Sequence, residues 1–242
     1  MTRSSLTKAA GIVAFLTIVS KVLGFVRETS LAAVFGATYA TDAYLVAQTI
    51  PYLLFATVSY ALTTTFIPVY AEVREKQGQE VAFRMANTVM FVVACIALVF
   101  IFVGELLAEK LVALVAPGFE GQVAELTAYL SRIIFPMMIF QLLSGIITGM
   151  LQADGEFGVP TAAGLVQNVA IIVSIILFGP RYGIQAVALG TLIGAAGAMI
   201  VKLPALRKTG FRWQWGFDLR DPGLQSMLVL IMPAIIGAGA GQ

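Results

Sequence analysis

Ser20–Glu28 reads SKVLGFVRE and sets Lys21, Arg27 and Glu28 inside a run that is otherwise apolar from about Ala9 to Phe35. A charge near the middle of a membrane span costs about 2.5–3.5 kcal/mol on insertion scales, so it survives where it faces a partner or a water-filled cavity. Gly24 lies between the two cations. Glycine weakens a helix by about 1 kcal/mol relative to alanine, and a kink here would re-aim both charges. On a straight helix Lys21 and Arg27 stand about 120° apart around the axis, and a bend turns both toward one cavity. The bland alternative is that Lys21 pairs with Glu28, seven residues on and on the same face.

The composition around this stretch points to the same solvent. The chain has 242 residues, 59% of them hydrophobic, with 12% charged and a mean hydropathy of +0.92. Soluble domains carry about 25% charged residues, so this is a polytopic membrane protein. There is no histidine, and Cys95 is the only cysteine. Zinc sites, disulfide frameworks and Cys/His nucleophile chemistry are excluded on that count. Cys95 sits in MFVVACIALVF and reads as a small buried thiol. A net charge of +2 does not suggest a nucleic-acid partner. The N-terminal run is too long and too charged for a cleaved signal peptide.

Six apolar spans are expected, with the start of a seventh. Span 1 covers about Ala9–Phe35, longer than the roughly 30 Å hydrocarbon layer requires. Span 2 covers about Ala43–Tyr70 and holds Pro51 and Pro68; Pro51 should bend or break it. Transporters use such breaks where backbone lines a cavity. A charged connector, Glu72–Arg84, leads to span 3, Met85–Leu107, and a loop over Ala108–Glu125 leads to span 4, Leu126–Leu151. Span 4 carries Gly145 and Gly149, a small-xxx-small pair suited to close helix packing. Span 5, Val159–Phe178, holds Gln167 and Asn168; these amides face protein or a cavity, as glue between helices or as ligand contacts. Span 6, Gly183–Leu203, has Gly190, Gly194 and Gly197 on or near one face. A basic connector follows with Lys202, Arg207, Lys208, Arg212 and Arg220, flanked by Trp213 and Trp215 as interface anchors. A seventh run opens at Met227 and stops at Gln242, so the chain reads as truncated: a six-helix lobe over 1–225 and the start of a seventh span over 226–242.

Lysine and arginine set the orientation. Ten of them lie in the N-terminus and the connectors after spans 2 and 6, whereas the opposite side has Lys110 and Arg181, with Arg132 just inside. The positive-inside rule therefore puts the N-terminus in the cytoplasm. No hydrolytic or redox constellation stands out: there is no P-loop, no GxSxG and no metal-ligand cluster, and neither catalytic residue nor cofactor is expected. A basic intramembrane cavity attracts an anion, and arginine's planar fork suits phosphate. Broken helices and glycine faces around such a cavity argue for a transporter rather than an enzyme.

Several stretches together carry a resemblance. SKVLGFVRE, FGATYATDAYLVAQTIP, FIPVYAE, the APGF turn, LSRIIFP, GMLQADGEFGVPTAAGLVQN and MPAIIGAGAGQ resemble the MurJ (MviN) lipid II flippases, of the multidrug/oligosaccharidyl-lipid/polysaccharide exporter superfamily. The resemblance covers nearly the whole chain. It implies an all-α fold of about fourteen spans in two lobes around a cationic cavity, this chain being the N-terminal lobe, in the bacterial cytoplasmic membrane. By position it places the family's first cavity cation on Lys21 and its second on Arg27, both binding substrate. It places an acidic gating partner on Asp42; the residues themselves add Glu28 as a gating or ion-pair residue and Asn168 as a cavity-lining one. Asp42 also reads as the helix N-cap of span 2. Relatives carry a further arginine just after the position of Pro51; here the stretch is Tyr52–Thr57 with no cation.

The expected function is translocation of an undecaprenyl-pyrophosphate-linked sugar from the inner to the outer leaflet by alternating access. Its partners are that anionic lipid-linked glycan, membrane lipids and a C-terminal lobe. A membrane potential can reset the lobes, because one charge crossing 100 mV is worth about 2.3 kcal/mol. The alternatives are a polysaccharide-unit or drug exporter of the same superfamily and a non-transporting membrane scaffold. A cation exporter prefers acidic cavity residues, and a scaffold would bury Lys21 and Arg27 in salt bridges with no cavity.

Overall fold

A computed structural model describes residues 3–213 and residue 225, and they form an all-helical bundle. The first helix, α1 (Arg3–Phe35), runs unbroken through Gly24. No kink at Gly24 turns the two cations together: nothing lies within 4 Å of where a Gly24 side chain would begin, so no neighbour forces a bend. A glycine therefore lowers the cost of bending without causing it, and in lipid each broken backbone bond is expensive. Gly36 (φ 66°) ends α1, and α2 (Tyr39–Gln77) follows with both Pro51 and Pro68 inside it. The two halves of α2, Tyr39–Ala56 and Val58–Gln77, meet at 41°. The helix does bend, but at residue 57, six residues past Pro51 and away from the 47–51 turn where the proline removes its hydrogen bond.

Two expected connectors are largely helical. The charged stretch after span 2 continues α2 to Gln77, and α3 (Gln79–Leu106) starts two residues later. Gly78 makes the turn at φ 92°, a backbone conformation open to glycine at little cost. Within the loop expected over Ala108–Glu125, Ala108–Val115 forms α4. The expected fourth span is two helices, α5 (Gln122–Ile134) and α6 (Met137–Ala153), parted at Pro136, which has no N–H to continue the ladder. Next come α7 (Gly158–Val173), a wide π turn over Ser174–Phe178, α8 (Gly179–Tyr182), α9 (Ile184–Ile200) and α10 (Leu203–Lys208). Among the described residues five helical stretches are long and apolar enough to cross a membrane, and six when the bent halves of α2 count as one span. The seventh run, with Trp215 and Arg220, lies outside the described residues.

The main core joins α2, α3, α5, α6 and α9 through fully buried Phe66, Tyr70, Met85, Leu130, Ile147, Met150 and Val187. Glycines let these helices close up. Gly149 of α6 leaves a side-chain position 3.0 Å from both Phe66 and Ile67, and Gly194 of α9 sits 3.0 Å from the backbone oxygen of Gln167. Elsewhere apolar side chains point outward, as a membrane solvent permits. On α3, Ile96, Val99 and Phe102 are exposed, and Cys95 lies on the same outward stripe. The reading of Cys95 as a buried thiol is corrected accordingly: its run is apolar because it faces out of the bundle, not because it faces the core. Helix α1 packs mainly on α7, and of its described side chains only Leu31 is buried.

Candidate functional site

Arg27 is placed by the face of α1 that meets α7. Ser20, Gly24, Arg27 and Leu31 recur at helical spacing along that face, with Ser20 close to Gly164 of α7. The Arg27 guanidinium donates from Nη1 to Asn168 Oδ1 at 3.3 Å and from Nη2 to Glu28 Oε1 at 2.6 Å. Asn168 in turn donates from Nδ2 to the Gly164 carbonyl at 3.1 Å. One amide thus ties α1 to α7 and presents the arginine.

The residues expected at the site are only partly brought together. Arg27, Glu28 and Asn168 form one cluster. Glu28 pairs with Arg27 and not with Lys21, because the neighbouring guanidinium reaches it directly. Lys21 is exposed on another face of α1 and lines neither cavity described below. Asp42 is exposed in the first turn of α2, where the N-cap position belongs to Thr38, so the N-cap reading of Asp42 is corrected. Its carboxylate still lies at the positive end of the helix dipole.

The structure adds polar residues that the sequence did not single out. Tyr44 and Gln48 sit one turn apart on α2 and meet Thr191 of α9: the two hydroxyls are 2.8 Å apart, and Gln48 Nε2 donates to both. Gln48 and Thr191, with Arg27, Thr49 and Tyr52, border a cavity of about 260 Å³ that Gln141 of α6 and Gln167 of α7 also line. Gln141 and Gln167 line a second cavity as well, about 310 Å³, bounded by Ser144, Gly145, Thr148 and Lys202. The two cavities share these two glutamines and so adjoin along one seam between α1, α2, α6, α7 and α9.

Lys202 closes the seam at its far end. It was expected in a basic connector, but it is 6% exposed, and its Nζ donates to Ser144 Oγ (2.5 Å), Thr148 Oγ1 (2.8 Å) and the Ser144 carbonyl (3.3 Å). The signal for this lay in α6, where Gln141, Ser144 and Thr148 recur at helical spacing on one face of an apolar span.

A separate cluster fastens the end of the bundle where α2 stops and α7 starts. Arg74 donates to the Ala153 carbonyl at 2.8 Å and pairs with Asp154. Glu156 Oε1 accepts from the backbone N–H groups of Gly158 and Val159 at 2.9 and 3.1 Å, capping α7. Burial pushes the Asp154 carboxyl above the usual carboxylate range, and the Arg74 guanidinium pulls it partly back.

The family model and the curated relatives agree on one family. A family model described as lipid II flippase MurJ matches residues 31–242. The lipid II flippase MurJ of Burkholderia cenocepacia is 31% identical over 98% of this chain and 48% of its own length. A probable lipid II flippase MurJ of Rhizobium meliloti is 30% identical over 98% of this chain and 46% of its own. The chain spans about half the length of the curated relatives it matches. Among solved structures, a lipid II flippase MurJ in an inward closed conformation aligns with a TM-score of 0.77 at 23% identity, over 93% of this chain and 46% of that one. The Vibrio cholerae MATE transporter VcmN in its bent form also gives 0.77, at 15% identity over 96% and 54%.

Proposed function

Because this chain belongs to the MurJ lipid II flippase family, we propose that it is the N-terminal lobe of a flippase carrying an undecaprenyl-pyrophosphate-linked sugar across the bacterial inner membrane. The observation that carries the reading is Arg27, an intramembrane cation lining a polar cavity rather than an enclosed salt bridge. A buried pair serving only structure has no need of open space beside it. Arg27 is 31% exposed at its side chain, so a pyrophosphate can displace or share its Glu28 contact. The planar guanidinium then offers two parallel donors to the phosphate oxygens.

The remaining roles follow from position. Lys21 stands on the exposed face of α1 and meets the headgroup once a C-terminal lobe faces it across a central cavity. Asp42, exposed near the outer end of α2, pairs with a cavity cation when the outer gate closes. The isoprenoid tail stays in lipid against the exposed apolar side chains of α1, among them Phe15, Val22 and Phe25. The N-terminus is cytoplasmic: the end of the bundle that holds Arg74, Lys76, Arg207 and Lys208 is the basic one. Alternating access then moves the site between leaflets.

Complementation tests the proposal. The full-length protein is expressed in cells depleted of their own lipid II flippase. Wild type should restore growth, and Arg27→Ala should insert normally yet fail, with precursor flipping down at least about tenfold from the lost charged hydrogen bonds. Normal growth on Arg27→Ala would overturn the assignment.

A further inference from the structure

Lys202 is the one strongly buried cation among the described residues, and it faces inward. Lysines this close to a span's end ordinarily extend their charged tip to the interface. Arg207 and Lys208, one turn of chain further on, are exposed in just that way. Lys202 does the reverse. Its ammonium reaches back to Ser144 and Thr148 on α6, three acceptors that fill its hydrogen bonds and bring no charge. No carboxylate among the described residues pairs with it. Withdrawing a lone cation from water among neutral acceptors is costly, and a counter-anion relieves the cost.

Space for that anion lies beside it. The cavity of about 310 Å³ is bounded by Lys202 and, opposite its polar partners, by Gly145, Ala195 and Ala198, which are too small to fill it. A purely structural clamp between α9 and α6 would be served by a hydroxyl and a packed wall. Gln141 and Gln167 line both this cavity and the cavity of Arg27.

We propose that Lys202 is a second anion-binding station, at the basic end of the bundle, which takes a phosphate-bearing group and passes it along Gln141 and Gln167 to Arg27. The identity of that group as a lipid-linked pyrophosphate rests on the proposed flippase function; the anion site itself does not. A precursor arriving from the cytoplasmic leaflet would meet Lys202 first and Arg27 second, so the headgroup crosses the apolar layer in two charged steps rather than one.

The test uses full-length protein in lipid nanodiscs, with inorganic pyrophosphate and undecaprenyl pyrophosphate as separate probes. Wild type is compared with Lys202→Met and Lys202→Arg, alongside melting temperatures. Lys202→Met should weaken pyrophosphate binding about tenfold, and Lys202→Arg should restore it to within about threefold at a similar melting temperature. Undecaprenyl pyrophosphate should show the same ratio if the source is a lipid headgroup; an effect on inorganic pyrophosphate alone assigns the station to a free anion and removes it from the lipid path. Unchanged binding of both probes in Lys202→Met overturns the proposal. So does equal loss in Lys202→Arg and Lys202→Met that tracks melting temperature, since that pattern belongs to a clamp. Wild-type flipping of lipid II is measured in parallel. Its absence alongside a Lys202-dependent pyrophosphate affinity defeats the flippase reading and leaves the anion station standing. Its presence, unaffected by Lys202→Met, does the opposite.

Discussion

The two faces of α6 solve opposite problems with neighbouring residues. On one face Leu142, Ile146, Gly149 and Met150 are buried, and Gly149 lets Phe66 and Ile67 of α2 approach to contact. On the other, Gln141, Ser144, Gly145 and Thr148 line a cavity, and Gly145 has nothing within 4 Å of its side-chain position. Gly145 and Gly149 read in sequence as one small-xxx-small packing motif. In the folded chain one glycine closes a gap and the other holds a gap open. In a bilayer lipid tails are as apolar as leucine, so fit and not hydrophobicity binds helices together. A polar face that is not packed is then free to serve a ligand.

The largest expected effect breaks the packed face. Gly149→Leu drives a branched side chain into Phe66 and Ile67 and should destabilise the bundle by about 3 kcal/mol or more, the upper end of overpacking costs. A sharp fall in the melting temperature of purified protein reads it, and a melting temperature equal to wild type would show that α6 does not pack as described. Next comes the fastening of α6 to α2. Arg74→Ala removes the partner of a largely buried Asp154 and a bond to the Ala153 carbonyl, and should cost about 1–3 kcal/mol.

The same pair has a pH signature. The folded Asp154 carboxyl holds its proton more tightly than in the unfolded chain, because burial disfavours the charge. Its contribution to stability is present below the ordinary carboxylate range and is lost as pH rises through its raised value. Asp154→Asn, uncharged throughout, should flatten the decline in melting temperature as pH rises through that range, and Arg74→Ala should steepen it. A steeper decline in Asp154→Asn would reverse the sign of the argument. Smallest is Gly145→Ala on the open face. It should leave the melting temperature unchanged or raise stability by up to about 1 kcal/mol through helix propensity. A fall would show that the face is packed.

The span count and the intramembrane arginine were legible because apolar runs of membrane length and a charge within them are local signals. Asn168 was legible as a residue turned inward, since an amide in a span needs a partner. Lys202 was not: it stands in a string of basic residues that reads as one connector, and what turns it inward is a pair of hydroxyls 58 and 54 residues upstream. The Lys21–Glu28 pairing rested on helical phase alone and failed because Arg27, beside Glu28, has the reach to take the carboxylate. The connectors were misread as loops because charge marks exposure, and exposed residues are as readily helical as not. Gly78 and Pro136 marked the true breaks.

The central claim is that the seam beside α6 is an open, ligand-bearing cavity. Its most direct test is thiol accessibility in full-length protein, with Cys95, which is exposed, and every other native cysteine replaced by alanine. Gly145→Cys should react with a membrane-impermeant maleimide, and undecaprenyl pyrophosphate should slow that reaction several-fold. Ile146→Cys, one residue on and 1% exposed in the wild type, should stay unlabelled throughout. Equal labelling of the two positions, or a Gly145→Cys rate indifferent to undecaprenyl pyrophosphate, would contradict the account.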